Sequence, residues 1–448
     1  MLAYIVHSGT RIEPFGDPIG ETLILDRPFS EVQQEALRNA GCESKTVHEF
    51  SETAGHSGPS LVLTDHLFTT SRLLKEFVEK ARAFPGTGAV RLVVKKGLFT
   101  RLLAPIQETT QDDEAIQFPL WYVPEGAFSG EASRLLTIDI DEESYAGNFP
   151  KHMIKKDGYR FCVTSRPVIL LTHPLHLALA NMAANFARLA ELKKMTLWEK
   201  VVTLAKARSL NKFKILGAVS RVHPEAEVHP TAVIEGSVVE KGAKIGAYAV
   251  VRFSHVGENA FIDDHAGLKF SVVGKEAYVA NNCVLFFTVA YPRAFLISGP
   301  YQFSLFGYDT AMMNSIPADY RMDGSSVPVQ TATGVKDTGL KFVGSVIGHR
   351  TKIAAGVIIA PGRLIPNDLL IFPDPARVIN KVPASLPKDE PLFLISGQLI
   401  PQSTLSTKEK TAHEPGHLPQ GAGSHSGVAR HSSRKNHHQS PNHRRPRQ

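Results

Sequence analysis

Five histidines, His223, His229, His255, His265 and His349, lie in a part of the chain where aliphatic residues return every five or six positions. Imidazole exchanges a proton near neutral pH, so each offers a general base. His265 sits in IDDHAGLKF, directly after Asp263 and Asp264. A carboxylate can orient an imidazole, which makes His265 the candidate base and Asp264 its orienting group. Arg350, Lys352, Arg363 and Arg377 follow near the end of the same stretch, where their charge suits the phosphates of a donor molecule. Arg363 occupies a repeat position that is small elsewhere, so it should point somewhere specific or mark an irregular last coil. His173 and His176 form a second pair, but no third ligand accompanies them, and they read as core or cap residues. Cys42, Cys162 and Cys283 lack metal spacing and are odd in number, which argues against a disulfide framework.

The element that must position these residues is written in the rhythm itself. Val222, Val228, Ile234, Val239, Ile245 and Val251 begin one run, which continues to Leu285; Ile347, Ile353, Ile359, Ile365 and Ile371 form a second. A period near six is neither helical nor a plain strand alternation, so it reports a repeat. Four residues after each aliphatic comes a slim side chain such as Ala226, Ala243, Ala260, Ala277 or Cys283. A large residue at one place and a small one beside it is what a narrow triangular prism requires. Each hexapeptide is then a short strand with its turn, three close a coil, and stacked coils bury a ladder that no single coil could bury. By this phase Cys283 packs inward, and the five histidines lie near turns, facing solvent or a neighbouring subunit. Between Val289 and Leu340 the rhythm is lost, which predicts a long insertion, rich in aromatics at its start. Such a segment would wrap a neighbouring subunit, cover a ligand groove or extend freely.

The repeats resemble the hexapeptide-repeat transferase family, built on a left-handed parallel β-helix. Ser254–Gly257, Ser271–Gly274 and Ser345–Gly348 are similar to phrases in the β-helix domains of sugar-nucleotide pyrophosphorylases. Pro375, Ala376, Arg377, Val378 and Ile379 resemble the phrase that closes the prism in the family's acyltransferases. The resemblance implies a homotrimer with acyl-donor sites in the grooves between prisms. It also implies acetyl-CoA or an acyl-carrier thioester as donor, a sugar nucleotide or related small molecule as partner, and no tightly bound cofactor.

Ahead of the repeats, residues 1–165 read as an α/β domain. AYIVHS, SLVLTD and VRLVVKK are strand-like, SEVQQEALRNAGC and TTSRLLKEFVEKARAF have helical spacing, and Ser30 and Thr69 or Thr70 are plausible N-caps. Strand–helix alternation favours a mostly parallel sheet, whose ligands bind beyond the carboxyl ends of strands. Residues 166–217 form a helical connector, 218–383 the β-helix with its insertion at 289–340, 384–402 a cap, and 403–448 a tail. Pro167 to Ala187 carries no Asp, Glu, Lys or Arg, but Pro174, His173, His176, Asn181 and Asn185 interrupt it, so it reads as a buried strand and helix rather than a membrane span. Without a signal peptide, a cytoplasmic location is expected. Eight Lys or Arg residues against Glu409 and Glu414 in the tail account for nearly all of the net charge of +7. Its Ser, Gly, Pro and His content predicts a disordered extension, or an arm making weak contacts with an anionic polymer.

SGTRIEPF, residues 8–15, is similar to the phosphate-wrapping loop of the sugar-phosphate nucleotidyltransferases, and LVLTD to their metal-binding strand. On that resemblance Gly9, Thr10 and Arg11 would hold phosphates, and Asp65 would hold Mg2+. The family's phosphate-stabilising lysine has no counterpart between Arg11 and Lys45. Its loss should cost about 3 kcal/mol at the transition state. Three functions follow: an acyltransferase of the hexapeptide type, a nucleotidyltransferase acting through the N-terminal domain, or a non-catalytic trimer that binds a sugar nucleotide or scaffolds partners.

Overall fold

The computed structural model describes residues 1–53, 58–126, 128, 130–131, 134–147, 160–192 and 196–405. Residues 1–374 form one compact unit and a second begins at Pro375. The tail from residue 406, with its expected disorder and anion contacts, lies outside the described residues.

The N-terminal region is α/β, as its strand–helix alternation predicts. Strands β1 (Leu2–Val6), β2 (Glu43–Val47), β3 (Ser60–Thr64), β4 (Val90–Lys95), β5 (Ala115–Val123) and β6 (Arg134–Ile138) make one sheet in the order β6-β4-β5-β3-β1-β2. β1 pairs in parallel with β2 and β3, and β6 with β4, while β5 runs antiparallel to both neighbours. β3 is buried along its whole length, which explains its unbroken apolar run. Helix α1 (Phe29–Asn39) buries Phe29, Gln33 and Leu37, one stripe at four-residue spacing. It starts after Pro28, so Ser30 lies inside its first turn and not at the cap. Helix α2 (Ser71–Ala83) does follow Thr70, but that hydroxyl donates to the Ser165 carbonyl instead of accepting from the helix.

The expected connector begins with the strand Val168–Leu170 and helix α3 (Pro174–Leu192). α3 is a rivet between the two halves of the unit. Its Asn181 amide donates to the Leu23 carbonyl and accepts from the Leu25 N–H, while Arg188 donates to the Gly236 carbonyl at 2.8 Å. Helices α4 (Leu197–Ala207) and α5 (Lys212–Ala218) complete the connector. A capping box between Thr196 and Glu199 starts α4, which leaves Leu197, Trp198 and Val201 exposed. No helix among the described residues is long and apolar enough to cross a membrane.

From Arg221 to Ile371 the chain winds into a parallel β-helix, the architecture that the period-six rhythm demands. The first sheet runs from Arg221–Val222 to Leu364–Ile365, the second from Glu227–Val228 to Leu370–Ile371, and the third from Val233–Glu235 to Pro300–Gln302. Val239, Val256 and Val273 stack inward in the first sheet, and Ile245, Ile262 and Val279 in the second. Each fully buried aliphatic contributes about 1.5–3 kcal/mol. Ala243, Ala260, Ala277 and Cys283 are buried at the corners, as their small size predicts. From Arg221 to Ala290 successive coils are related by 17 residues, and the serines mark that step: Ser237 Oγ accepts from Ser254 N–H, and Ser254 Oγ from Ser271 N–H. This ladder satisfies amides that the turn would otherwise leave buried and unpaired.

The rhythm does not stop at Val289. Strands at Val289–Ala290, Phe295–Ile297, Pro300–Gln302, Leu305–Phe306, Ala311–Met313 and Ile316–Pro317 continue the coils. They escape a search for aliphatics because Tyr301, Phe306 and Met312 fill the inward positions. The excursion follows Pro317 and ends where Val346 resumes pairing with Leu305. It carries a hairpin, Pro328–Thr331 with Gly334–Asp337, whose Val329 is buried and whose Gln330 carbonyl meets His173 Nε2 at 3.1 Å. The segment therefore packs back on its own chain. His173 and His176 are both buried, as core histidines should be.

In the second unit, Pro375–Arg377 forms a 3-10 turn, and Leu392–Ile395 pairs with Gln398–Pro401 as a hairpin.

Candidate active site

The N-terminal region sits on one side of the prism and changes the environment of two histidines. The first sheet is the covered one, and its outward residues Val272, Val289, Leu305 and Val346 are buried. His255 belongs to this sheet and is buried too, not at a solvent-facing turn. Burial pushes its pKa down to about 4, and the cations Arg188 and Arg221 add to that effect.

His349 is likewise buried, although it does stand in a turn. The N-terminal loop reaches it: Phe15 stacks on its ring with centroids 4.6 Å apart, and Asp17 Oδ2 lies 2.9 Å from Nε2. Tyr308 N–H donates to Nδ1 at 2.9 Å. Since Nδ1 accepts, the proton resides on Nε2 and points at Asp17. His349 has no lone pair left to remove a proton from a substrate, so it pins the two halves of the unit together. Asp26 is a second pin, accepting from Lys275 N–H at 2.8 Å. A Cβ at Gly257 would lie 2.5 Å from Asp26 Oδ2, and one at Gly274 2.7 Å from its Oδ1. These glycines in the Ser-x-Val-Gly phrases leave room for the aspartate.

Among the described residues nothing covers the corner between the second and third sheets at His265. Tyr248, His265 and Asn282 occupy equivalent places in successive coils there, each with φ between 57° and 59°. His265 is exposed and stacks on Tyr248, with centroids 5.1 Å apart and planes 15° from parallel. Among the described residues neither of its ring nitrogens has a hydrogen bond. Its neighbours along the chain are engaged elsewhere. Asp264 Oδ1 accepts from Ala247 N–H at 2.6 Å and Asp263 Oδ2 from the Tyr278 hydroxyl at 2.7 Å. Asp264 thus holds the adjacent turn rather than orienting the imidazole. His223 and His229 each accept a backbone N–H on Nδ1, from Glu225 and Thr231, which places the proton on Nε2. His265 alone among the five combines exposure with an unengaged lone pair. Sequence reasoning found this histidine but missed Tyr248, whose only signal is its 17-residue offset from His265.

The cationic candidates are not gathered around it. Arg350 makes a two-pronged pair with Asp368, at 2.6 and 2.8 Å. Arg363 is exposed and takes the place that Ser345 holds one coil earlier, so it marks the end of the serine ladder. Arg377 is exposed in the second unit.

In the N-terminal region the loop after β1 and Asp65 after β3 do come together. Asp65 Oδ2 lies 2.6 Å from His7 Nδ1, and Oδ1 accepts from Ser8 N–H at 3.0 Å. Burial pushes the Asp65 pKa up, but hydrogen bonds from His66, Ser8 and His7 outweigh it and hold the carboxyl below its usual range. Gly9 turns with φ of 70°, Thr10 bonds to Ser8, and Arg11 donates to the Gly16 carbonyl at 2.6 Å. Both oxygens of Asp65 are occupied within the protein, and no group of three His, Cys, Asp or Glu among the described residues could hold a metal. Nothing in this arrangement supports the Mg2+ role expected of Asp65.

No family model and no curated protein matches the sequence. Solved structures do match over part of the chain. A point mutant of GDP-perosamine N-acetyl transferase from Caulobacter crescentus, in complex with CoA and GDP-perosamine, is 18% identical over 34% of this chain and 53% of its own, with a TM-score of 0.13. A hexapeptide transferase family protein from Anaplasma phagocytophilum is 15% identical over 34% of this chain and 75% of its own, at 0.18. The acetyltransferase domain of PglB from Neisseria gonorrhoeae is 20% identical over 39% of this chain and 62% of its own, at 0.14. This chain therefore spans only about half of the first of these proteins. At such scores the fold assignment rests on the strand register described above.

Proposed function

We propose that the protein transfers an acyl group from a CoA or carrier thioester to an amine or hydroxyl of a sugar-nucleotide-like acceptor, with His265 as general base. The observation that carries this reading is that His265 alone, among the repeat histidines, offers an exposed, unengaged imidazole. Its lone pair would take the acceptor's proton as the acceptor attacks the thioester carbonyl. The C–S bond then breaks, and the thiolate leaves with that proton. Tyr248 would fix the ring plane by stacking.

A homotrimer would supply the other wall of the site. The two uncovered sheets carry apolar side chains outward, with Phe261, Tyr278 and Phe295 in register on the second and Val233 and Val284 on the third. These columns meet at the His265 corner and suit burial against a second copy. Arg350, in the turn between the first and second sheets, and Arg363, ahead of the last strand of the first, stand at other corners of the prism, so they would meet donor phosphates only as contributions from a neighbouring copy. Arg377 belongs to the second unit.

The nucleotidyltransferase reading is not favoured, because Asp65 is committed to His7 and Ser8. The test is thiol release from acetyl-CoA with a panel of amino-sugar nucleotides. Turnover should fall about 10²–10⁴-fold in His265→Ala and persist in Asp65→Asn. Magnesium-dependent pyrophosphate release that Asp65→Asn abolishes would reverse the assignment.

A further inference from the structure

A cavity of about 380 Å³ lies away from the His265 corner, where α3, the β-helix and the returning limb of the excursion meet. Its walls include Leu179 and Met182 of α3, the rings of Phe287 and Phe303, and Leu340 and Phe342. The volume is within the range of small-molecule sites, and well-packed interiors do not leave spaces of this size.

Two features give the space a chemical preference. Its charged lining residues, Arg160 and Lys341, are both cationic, and no carboxylate lines it among the described residues. Arg160 is partly engaged, through Nε to Ser144 Oγ at 3.2 Å, whereas Lys341 has no hydrogen bond or ion pair among the described residues. The second feature is the wall of the prism. Phe253, Phe270, Phe287 and Phe303 stand in one corner column with φ of 49–54°. A bulky residue is uncommon in this left-handed region, where glycine or asparagine sits more easily. Phe287 and Phe303 stack at 5.3 Å with planes 5° apart, and Phe303 stacks on Phe342 at 5.6 Å. Phe270 packs against Phe186 of α3, while Phe287 and Phe303 line the cavity together with Phe186.

We propose that this cavity binds a fatty carboxylate, its hydrocarbon chain against the Phe287–Phe303–Phe342 stack and its carboxylate at Lys341 and Arg160. The site is separate from the acyl-transfer corner and does not depend on that reading. Binding is measured without any thioester, by calorimetry and thermal shift on the full chain with dodecanoate below its micellar concentration. Dodecanoate should bind at one site per chain and raise the melting temperature. Butyrate should not bind, since it lacks the apolar length, and dodecanol should bind about tenfold or more weakly, since it lacks the charge. Lys341→Gln changes a half-buried side chain and should weaken dodecanoate by a similar factor while leaving dodecanol unaffected. Ala183→Phe should block both ligands; if it fails to fold, Lys341→Gln still decides. Equal binding of dodecanol and dodecanoate, no effect of Lys341→Gln, or no saturable binding of dodecanoate would each overturn the proposal.

Discussion

His349 and His265 both stand in turns of the same prism, yet they have opposite chemistry. The difference is what covers each corner. At His349 the N-terminal loop supplies Phe15 and Asp17, the backbone of Tyr308 claims the other nitrogen, and the imidazole becomes a structural bond. At His265 no described residue covers the turn, Tyr248 holds one face, and the nitrogens stay available. A repeat therefore supplies equivalent positions, and the domain laid over one side decides which of them can react.

The largest effect should come from the open corner. His265→Gln keeps the size and polarity of the side chain but not the base, so acyl transfer should fall at least about 100-fold with the melting temperature unchanged. Equal activity in this variant would erase the distinction between the two corners.

At the covered corner the cost should appear as stability. His349→Ala leaves the Tyr308 N–H and Asp17 without their partner in a buried site, which predicts a loss of about 1–3 kcal/mol in denaturant unfolding. A variant as stable as the parent would mean that the pin carries no load.

Asp26 adds a pH signature to the same side. Burial pushes its pKa up to about 7, with Glu258 and Glu240 raising it further and Lys275 opposing. In the unfolded chain it returns toward 3.8, so the folded protein holds the extra proton between these values. The stability gained is complete below the unfolded pKa and is lost as pH rises through about 7. Melting temperatures across pH 5 to 8 should fall less steeply in Asp26→Asn than in the parent; identical slopes would rule out Asp26 as the titrating group.

The smallest effect is expected at Arg350→Ala. Its pair with Asp368 is exposed, so melting should be indistinguishable from the parent, and any change should appear instead in the KM for a phosphorylated donor.

Much of the prism was legible in the sequence because its inward residues are aliphatic and evenly spaced. Legibility ended at Ala290, where the next inward residues are Leu296, Tyr301, Phe306 and Met312: three of the four side chains are not aliphatic, and two five-residue steps follow one another where earlier coils have one. The eye sees an insertion where the fold keeps coiling. His265 was legible as a candidate, but its orienting partner was misassigned, since sequence adjacency does not show that Asp264 turns toward Ala247. The burial of His255 and His349 was hidden for a different reason. It depends on residues such as Asp17, 332 positions from His349, and no local pattern reports a contact at that distance.

The most direct test of this contrast is kcat/KM for thioester-dependent acylation in His265→Gln and His349→Gln, measured side by side below the melting temperature of each. The covered and open corners predict a loss of at least about 100-fold for the first and near-parental values for the second. Loss of activity in folded His349→Gln, with His265→Gln unaffected, would contradict the account and move the chemistry to the corner under the N-terminal domain.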